Sequence, residues 1–406
     1  MYDAIVIGAR SAGSPTAMLL ARKGHKVLLV DRAAFPSDIP HGHFIHRHGP
    51  RHLHDWGLLQ RIVDTNCPPI ASVNMDYGDF PLAADGLIAP DGVAVAYGPR
   101  REAIDIVLAD AARDAGAEFR DQLTVEELLF EEGRVTGIRA RTRLGMTITE
   151  HAQVVIGADG RRSRVAQAVN APVYETVPTL TCWYLAYYSG VKGGAAEMHN
   201  RPSTRSVMFA FPTNDGLFAV FVAFGAEQLP AVRADLKARF EAAIVQAPAL
   251  AERIREGRRE GPIAGATDLP NFLRKPYGPG WALVGDAGAH KDPFLALGMC
   301  DAFRDAEFLA AALHRHFADG VAYDEALADY ERQRNEATMM DYKQNLHLAS
   351  FQPAPEDLLR IRAALRGNPE ASRQFYMAVE GMIPREAFFN PANLEQICGA
   401  SQAAAR

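Results

Sequence analysis

The chain opens on a compact apolar run, Ala4-Ile-Val-Ile7, with no polar residue alternating along it. A short unbroken run of β-branched residues predicts a strand buried on both faces, as in a parallel sheet. Gly8 to Gly13 then make a turn, and a helical pattern runs through Ala17-Met-Leu-Leu-Ala-Arg22 until Gly24 ends it. A second strand pattern, His25-Lys-Val-Leu-Leu-Val30, stops at Asp31. Strand, turn, helix and strand make a βαβ unit. Two later runs repeat the apolar strand: Val154-Val-Ile-Gly-Ala-Asp-Gly160 and Trp281-Ala-Leu-Val-Gly-Asp286. The second of them leads through Lys291-Asp-Pro293 and Gly298 into a long helix predicted over Asp301 to His314.

The pattern changes between these segments. Residues 74–99 interrupt it once, and 177–276 interrupt it again with aromatic strands such as Leu180-Thr-Cys-Trp-Tyr-Leu-Ala-Tyr-Tyr188. Ser206-Val-Met-Phe-Ala-Phe211 and Leu217-Phe-Ala-Val-Phe-Val-Ala-Phe224 flank the turn residues Pro212-Thr-Asn-Asp-Gly216, which predicts a hairpin. From Tyr323 onward the chain reads as helices. Its last part carries Phe351, Phe375, Tyr376, Phe388 and Phe389 in a polar background, either as a cap across the domains or as a partner interface.

Glycine turns at strand ends are the positions where a backbone can approach a pyrophosphate. A helix N-terminus behind such a turn offers free N–H groups and the positive end of a dipole. Asp31, at the end of the second strand, is placed to accept hydrogen bonds from an adenosine ribose. Arg10 stands where the usual fingerprint has its middle glycine; it either reaches the phosphates or lies on the surface. The Gly285-Asp286 strand end, its proline and the following helix start place N–H groups at a second anion site, suited to the negative charge of a reduced flavin. Three such segments in this order point to FAD.

These pieces, with Arg101-x-x-Ile104-x-x-x-Leu108, Asp159-Gly160-x-x-Ser163 and Gly285-Asp286…Pro293…Gly298, resemble the class A FAD-dependent monooxygenases, the fold of para-hydroxybenzoate hydroxylase. The resemblance is to the bacterial branch related to geranylgeranyl reductases and flavin halogenases, and it covers residues 1 to about 340. It implies an α/β fold: a Rossmann-like FAD-binding domain (1–73, 100–176 and 277–345) interleaved with a β-sheet substrate domain (74–99 and 177–276), plus a helical C-terminal segment (346–406). It also implies that Arg101 contacts FAD, that Asp159 supports the nucleotide region, and that Asp286 binds the ribityl or pyrophosphate part. The expected cofactor-binding residues are therefore Gly8, Arg10, Ser11, Ala12, Gly13, Asp31, Arg32, Arg101, Asp159, Gly285, Asp286, Pro293, Gly298 and Met299. Trp183, Tyr187, Met208 and Phe211 are the expected substrate-facing residues on a sheet that covers the flavin.

Six of the 13 histidines fall within His41, His43, His46, His48, His52 and His54. His48 and His52 have the spacing of two ligands on one helix face. Apart from Asp55, no acidic residue or cysteine accompanies the cluster, so no metal is expected. By the resemblance, this segment passes near the flavin ring. That makes His43 and His46 the candidate acid–base residues, because imidazole titrates near neutral pH. His290 and Lys291 are expected near the flavin, in either a chemical or a purely structural role.

The chain has 406 residues, 48% hydrophobic and 23% charged, with a net charge of −6. Such a balance implies no nucleic-acid surface. Cys67, Cys182, Cys300 and Cys398 lack metal or redox spacing and read as cytoplasmic thiols. The N-terminal apolar run is too short for a membrane span, so no stable membrane insertion is expected. The expected activity is hydroxylation of a small aromatic or electron-rich substrate with O2 and NADH or NADPH, through a flavin hydroperoxide. A separate flavin reductase is an alternative source of electrons, and the protein is expected to be a monomer or homodimer. Prenyl double-bond reduction is the alternative, suggested by Phe209-Ala-Phe-Pro212; a non-catalytic flavin-binding protein is the third reading. Halogenation is disfavoured, because no lysine lies between Lys26 and Lys192 and no Trp-x-Trp-x-Ile-Pro run occurs.

Overall fold

The computed structural model describes residues 1–39 and 41–404. It divides by contacts into two units. The first comprises Met1–Ile39, Arg100–Pro178 and Pro270–Asn345; the second comprises Pro40–Pro99, Thr179–Leu269 and Leu346–Arg406. Residues 41–73 and the C-terminal segment thus cluster with the sheet-bearing unit. The sequence pattern instead places 1–73 with the nucleotide-binding part and 346–406 in a separate cap.

In the first unit, β1 (Tyr2–Ile7), α1 (Gly13–Arg22) and β2 (Val27–Val30) form the expected βαβ motif. Further on come α2 (Arg101–Asp114), β3 (Glu118–Arg120), β4 (Thr147–Gly157), β5 (Trp281–Leu283) and α3 (Gly298–Asp319). The parallel core runs β5-β4-β1-β2-β3. Ile5 sits beside Val155 on one side and Leu28 on the other. All three are fully buried, which is why these strands read as unbroken apolar runs. The chain enters α1 and α3 from the ends of β1 and β5, so both helix starts gather at one edge of the sheet.

The second unit is built on a seven-stranded sheet that includes Thr181–Ser189, Ser206–Pro212 and Phe218–Gly225. The last two strands form the expected antiparallel hairpin. One face, carrying Tyr184, Met208, Val222 and Phe224, packs on Phe240, Ile244, Leu250 and Ile254 from the helices that follow. On the same side, strand Ala196–Arg201 carries a buried polar row. His199 lies 3.7 Å from Asp76 and 3.5 Å from Glu197. Arg201 binds Asp76 at 2.7 Å, and Arg253 pairs with Glu197. Burial alone would lower the His199 pKa; the two carboxylates outweigh it and raise the value.

The C-terminal helices dock on this unit through polar anchors. Arg362, fully buried, donates to the Asp79 carboxylate at 2.9 and 3.0 Å and to the carbonyl oxygens of Phe80 and Met75 at 2.6 and 3.2 Å. Its guanidinium also lies over the rings of Tyr77 and Phe80. Tyr376 donates to the Leu82 carbonyl at 2.9 Å.

Among the described residues no helix is long and apolar enough to cross a membrane, and none of the four cysteines forms a disulfide.

Two predictions follow from these buried charges. Arg362→Ala leaves Asp79 without its guanidinium and should cost about 3–5 kcal/mol of unfolding free energy, read by urea denaturation. A loss below about 1 kcal/mol, the level of an exposed pair, would show that the anchor is not needed. For His199, the raised folded pKa means that its stabilisation is fully present below the unfolded value of 6.5 and is lost as pH rises through the higher folded value. His199→Asn should therefore be most destabilising near pH 5.5 and approach wild type in alkaline buffer. A pH-independent difference would contradict this.

Candidate functional site

The turn after β1 is shaped by lack of room. Gly8 has φ +103°, and a Cβ there would meet the Ala158 carbonyl oxygen at 2.4 Å. A Cβ on Gly13 would lie 1.8 Å from the Gly8 carbonyl oxygen. One on Gly285 would lie 2.7 Å from the Ala12 Cβ. The three glycine segments, more than a hundred residues apart in sequence, are therefore in contact around one turn. No side chain caps α1, and its first turn holds no acidic residue. The Ser11 hydroxyl is buried there without a hydrogen-bond partner. An uncapped helix start, a close backbone and an unsatisfied hydroxyl fit the diphosphate of a dinucleotide.

Asp31 is buried at the end of β2. Its two oxygens accept from the Ala9 and Ala33 N–H groups, both at 2.8 Å. A carboxylate has about four acceptor positions, so two remain for ribose hydroxyls. Arg101 is buried at the start of α2 and binds Asp105 one turn on, through Nε at 3.2 Å and NH2 at 2.9 and 3.0 Å. Arg10 reaches the same carboxylate, so it does not lie free on the surface. Arg32 is exposed.

Asp159 does a local job. Its Oδ2 accepts from the N–H groups of Arg164 at 2.7 Å and Val165 at 3.3 Å, while Ser163 caps the same short helix by accepting from Ala166 N–H at 2.9 Å. Its Oδ1 is buried without a partner. Burial raises the Asp159 pKa against the pull of Ser163 and these backbone donors.

At the third segment, Asp286 is half-buried and lines a small cavity with Gly285, His290, Lys291, Asp301 and Tyr342. Lys291 forms a buried ion pair with Asp301 in the first turn of α3. Arg304 also holds Asp301, at 2.9 Å, and Asp305, at 2.7 Å. The loop between is pinned from outside. Asn345 accepts from Leu295 N–H at 2.9 Å and donates to the Asp292 carbonyl at 2.8 Å; Asn271 accepts from Asp292 N–H at 2.7 Å. Pro293 opens a short 3-10 turn, Gly298 starts α3, and Met299 is buried behind it. This web fixes Pro293 and Gly298 by contacts that local sequence does not reveal.

In the second unit, Trp183, Tyr187 and Phe211 share the sheet face opposite the helices. Cross-strand pairing puts Tyr187 and Phe211 on either side of Ala219, and Trp183 beside Ala223. Met208 is not with them. It pairs with Val222 and packs into the helix-covered core, which corrects its expected substrate role. Side chains alternate along a strand, so Met208 and Phe211, three apart, must point to opposite faces. The aromatic face includes buried His43. The His43 ring lies 5.2 Å from Phe211, 5.9 Å from Phe221 and 5.7 Å from Tyr187. Its Nδ1 is 3.1 Å from the Gly98 carbonyl oxygen and its Nε2 is 3.0 Å from the Tyr187 hydroxyl. A carbonyl only accepts, so Nδ1 carries the proton, Nε2 holds the lone pair, and Tyr187 donates to it.

His46 sits differently. Its Nδ1 is 2.8 Å from a Glu380 oxygen, and both residues are buried. Burial would raise the Glu380 pKa, but the neighbouring His46 and Arg47 bring it down. His46 thereby ties its loop to the C-terminal helices. The remaining histidines spread out: His48 and His52 stack edge to face, and His54 contacts Asp55. Among the described residues no group of three or more His, Cys, Asp or Glu side chains is arranged to hold a metal ion.

Comparison with known proteins agrees with this geometry. The chain is 29% identical over 393 residues to kynurenine 3-monooxygenase of Salinispora arenicola, covering 88% of this chain and 81% of that one. It is 24% identical over 408 residues to the digeranylgeranylglycerophospholipid reductase of Methanothrix thermoacetophila, covering 97% and 98%. The fold matches a myxobacterial chondrochloren halogenase, described as a variant of FAD-dependent halogenases, with TM-score 0.77, 21% identity and coverage of 99% and 97%. The FAD binding domain model matches residues 1–341. With a nucleotide turn whose glycines leave no room for a Cβ and a family match across most of its length, the chain belongs to the FAD-binding domain family and is an FAD-dependent oxidoreductase.

Proposed function

We propose that the protein is a monooxygenase that inserts one oxygen atom of O2 into a small, flat, electron-rich substrate, with NADH or NADPH as the reductant. Bound FAD supplies the electron transfer and the activation of oxygen. Gly8, Ser11, Ala12 and Gly13 would hold the diphosphate, Asp31 the ribose, and Asp286 with Gly298 the flavin end.

The observation that carries the reading is the His43–Tyr187 pair on an aromatic face. Oxygen insertion into a phenol goes faster when the substrate loses its proton, because the phenolate ring is richer in electrons. Tyr187 is half-buried, whereas His43 behind it is fully buried with its tautomer fixed. A proton arriving at Tyr187 is passed on to His43 Nε2, and the Gly98 carbonyl holds the resulting imidazolium. Phe209, also half-buried, with Phe211 and Phe221 supplies a flat apolar wall. His46 is left out of the chemistry in this reading, because Glu380 occupies it.

The reductase reading has its own support. The digeranylgeranylglycerophospholipid reductase matches nearly full length, and Phe209 of the Phe209-Ala-Phe-Pro212 run belongs to the aromatic face. An apolar wall suits a prenyl chain too, and saturating its double bond takes a hydride and a proton, so a phenol backed by an imidazole has a task there as proton donor; the labelled-oxygen experiment separates the two reactions. Halogenation lacks its lysine, since none lies between Lys26 and Lys192.

Two experiments test the proposal. With labelled oxygen gas and candidate aromatic substrates, the product should carry one labelled oxygen atom and NAD(P)H should be consumed in step. Unlabelled product gaining two hydrogens would favour the reductase. His43→Gln should keep its FAD content but lose roughly 10²–10⁴-fold in kcat, the range of general acid–base catalysis. Wild-type kcat across pH 6–9 would remove His43 from the mechanism.

A further inference from the structure

We propose that Thr213 is a positioning residue for His43: its hydroxyl shares the Gly98 carbonyl with the imidazole and so sets how firmly His43 holds a proton. The proposal rests on the proton-accepting role of His43 and names what regulates it. Thr213 opens the hairpin turn between the strands Ser206–Pro212 and Phe218–Gly225. It is 1% exposed, and its hydroxyl donates to the Gly98 carbonyl oxygen at 2.6 Å. His43 Nδ1 reaches the same oxygen at 3.1 Å. The turn itself is held firmly. Thr213 N–H donates to the Leu217 carbonyl at 2.9 Å, and the Asn214 amide donates to the Thr65 carbonyl at 2.6 Å and to its hydroxyl at 2.8 Å. Gly98 is wedged against the same hairpin: a Cβ there would lie 2.5 Å from the Phe211 ring and 3.1 Å from the Pro212 carbonyl oxygen. The hairpin thus holds the acceptor of His43 from two sides, by a ring and by a hydroxyl.

A carbonyl oxygen has two lone pairs, and here both are taken. The Thr213 bond is short for a hydroxyl donor, and the His43 bond is long for an N–H donor. Two donors on one oxygen weaken each other, because each draws on the same negative charge. The bond from Nδ1 strengthens when the ring becomes an imidazolium, so whatever weakens the acceptor disfavours the charged ring. Thr213 therefore keeps a proton on His43 less tightly bound than a free carbonyl would. A base that lets go of its proton readily is suited to exchange it with Tyr187 in each turnover. The titratable groups flanking His43 are Tyr187, whose hydroxyl meets Nε2, and Cys67, which is hydrogen-bonded to the Gly98 backbone and whose thiol burial pushes up to about 12. His46, in the same loop, is turned to Glu380.

The test is nitrogen and proton NMR on the full-length protein labelled at histidine, with the His43 signals assigned by their loss in His43→Gln. Thr213→Val keeps the side-chain shape and removes the hydroxyl. In it, the Nδ1 proton should move downfield as its bond shortens, and the pH at which His43 titrates should rise by about 0.5–1 unit, the worth of one hydrogen bond. The acid limb of the kcat profile should move up with it, since the base is then protonated over a wider range of pH. Thr213→Ser, which restores the hydroxyl, should return all three to wild type. An unchanged or lower titration point in Thr213→Val would overturn the proposal. If that variant misfolds, wild type decides: the Thr213 hydroxyl proton should shift in step with the His43 titration, and a Thr213 proton that ignores it would overturn the coupling. Product without labelled oxygen would remove oxygen insertion, while the effect of Thr213 on His43, read without turnover, stands or falls separately.

Discussion

The first unit depends on one steric constraint: three strand ends meet where there is no space for a Cβ. Gly8 abuts the Ala158 carbonyl, Gly13 abuts Gly8, and Gly285 abuts Ala12. Parallel strands bring their ends to one edge, and the helices that follow begin there. A side chain at any of the three glycines would push a helix start away from the sheet. The same crowding exposes backbone N–H groups in place of side chains, and this is why the edge suits a diphosphate. The constraint therefore sets both packing and binding. Every neighbouring choice has to respect it, including the small Ala9, Ala12 and Ala158.

Charge is the second organising element where it is buried, and there it comes in matched sets. Lys291 and Arg304 bracket Asp301, and Arg304 also holds Asp305. Arg362 is surrounded by a carboxylate, carbonyls and aromatic rings. Buried pairs like these add little net stability compared with apolar residues of the same size, but losing one partner is expensive. They act as registers, because only one arrangement of the segments satisfies all of them.

What was legible in the sequence follows from how local the signal is. The βαβ unit, Asp31 and the two later Gly-Asp strand ends could be read because each is an unbroken apolar run closed by residues with few other uses there. The hairpin around Pro212–Gly216 could be read for the same reason. The sheet face was only half legible: alternation separates Met208 from Phe211, but nothing local says which face the helices cover, and the two were wrongly grouped. His46 looked like a catalytic histidine because its partner, Glu380, lies 334 residues away. The Asp76–His199–Glu197 row was missed because its members sit on two strands with no motif linking them. Asp159 read as a cofactor residue because the sequence does not reveal that its oxygen caps the next helix turn.

In the proposed reaction, a buried imidazole takes a proton. A neutral histidine in an apolar setting resists charging, because burial penalises the ionised form. His43 has two features that offset this. The Gly98 carbonyl already faces the Nδ1 proton, so charge spreading to that side meets an acceptor in place. Thr213 also donates to that carbonyl, at 2.6 Å, which fixes its direction. At Nε2, the Tyr187 hydroxyl starts as donor and ends as acceptor when the proton crosses, so no bond is lost. The pair can therefore accept a proton without moving a heavy atom. A site that merely bound an apolar chain would gain nothing from burying a polar pair at this cost. Placing one beside Phe211 and Phe221 makes sense where the ligand has a proton to exchange, which an inert apolar chain held only for binding does not.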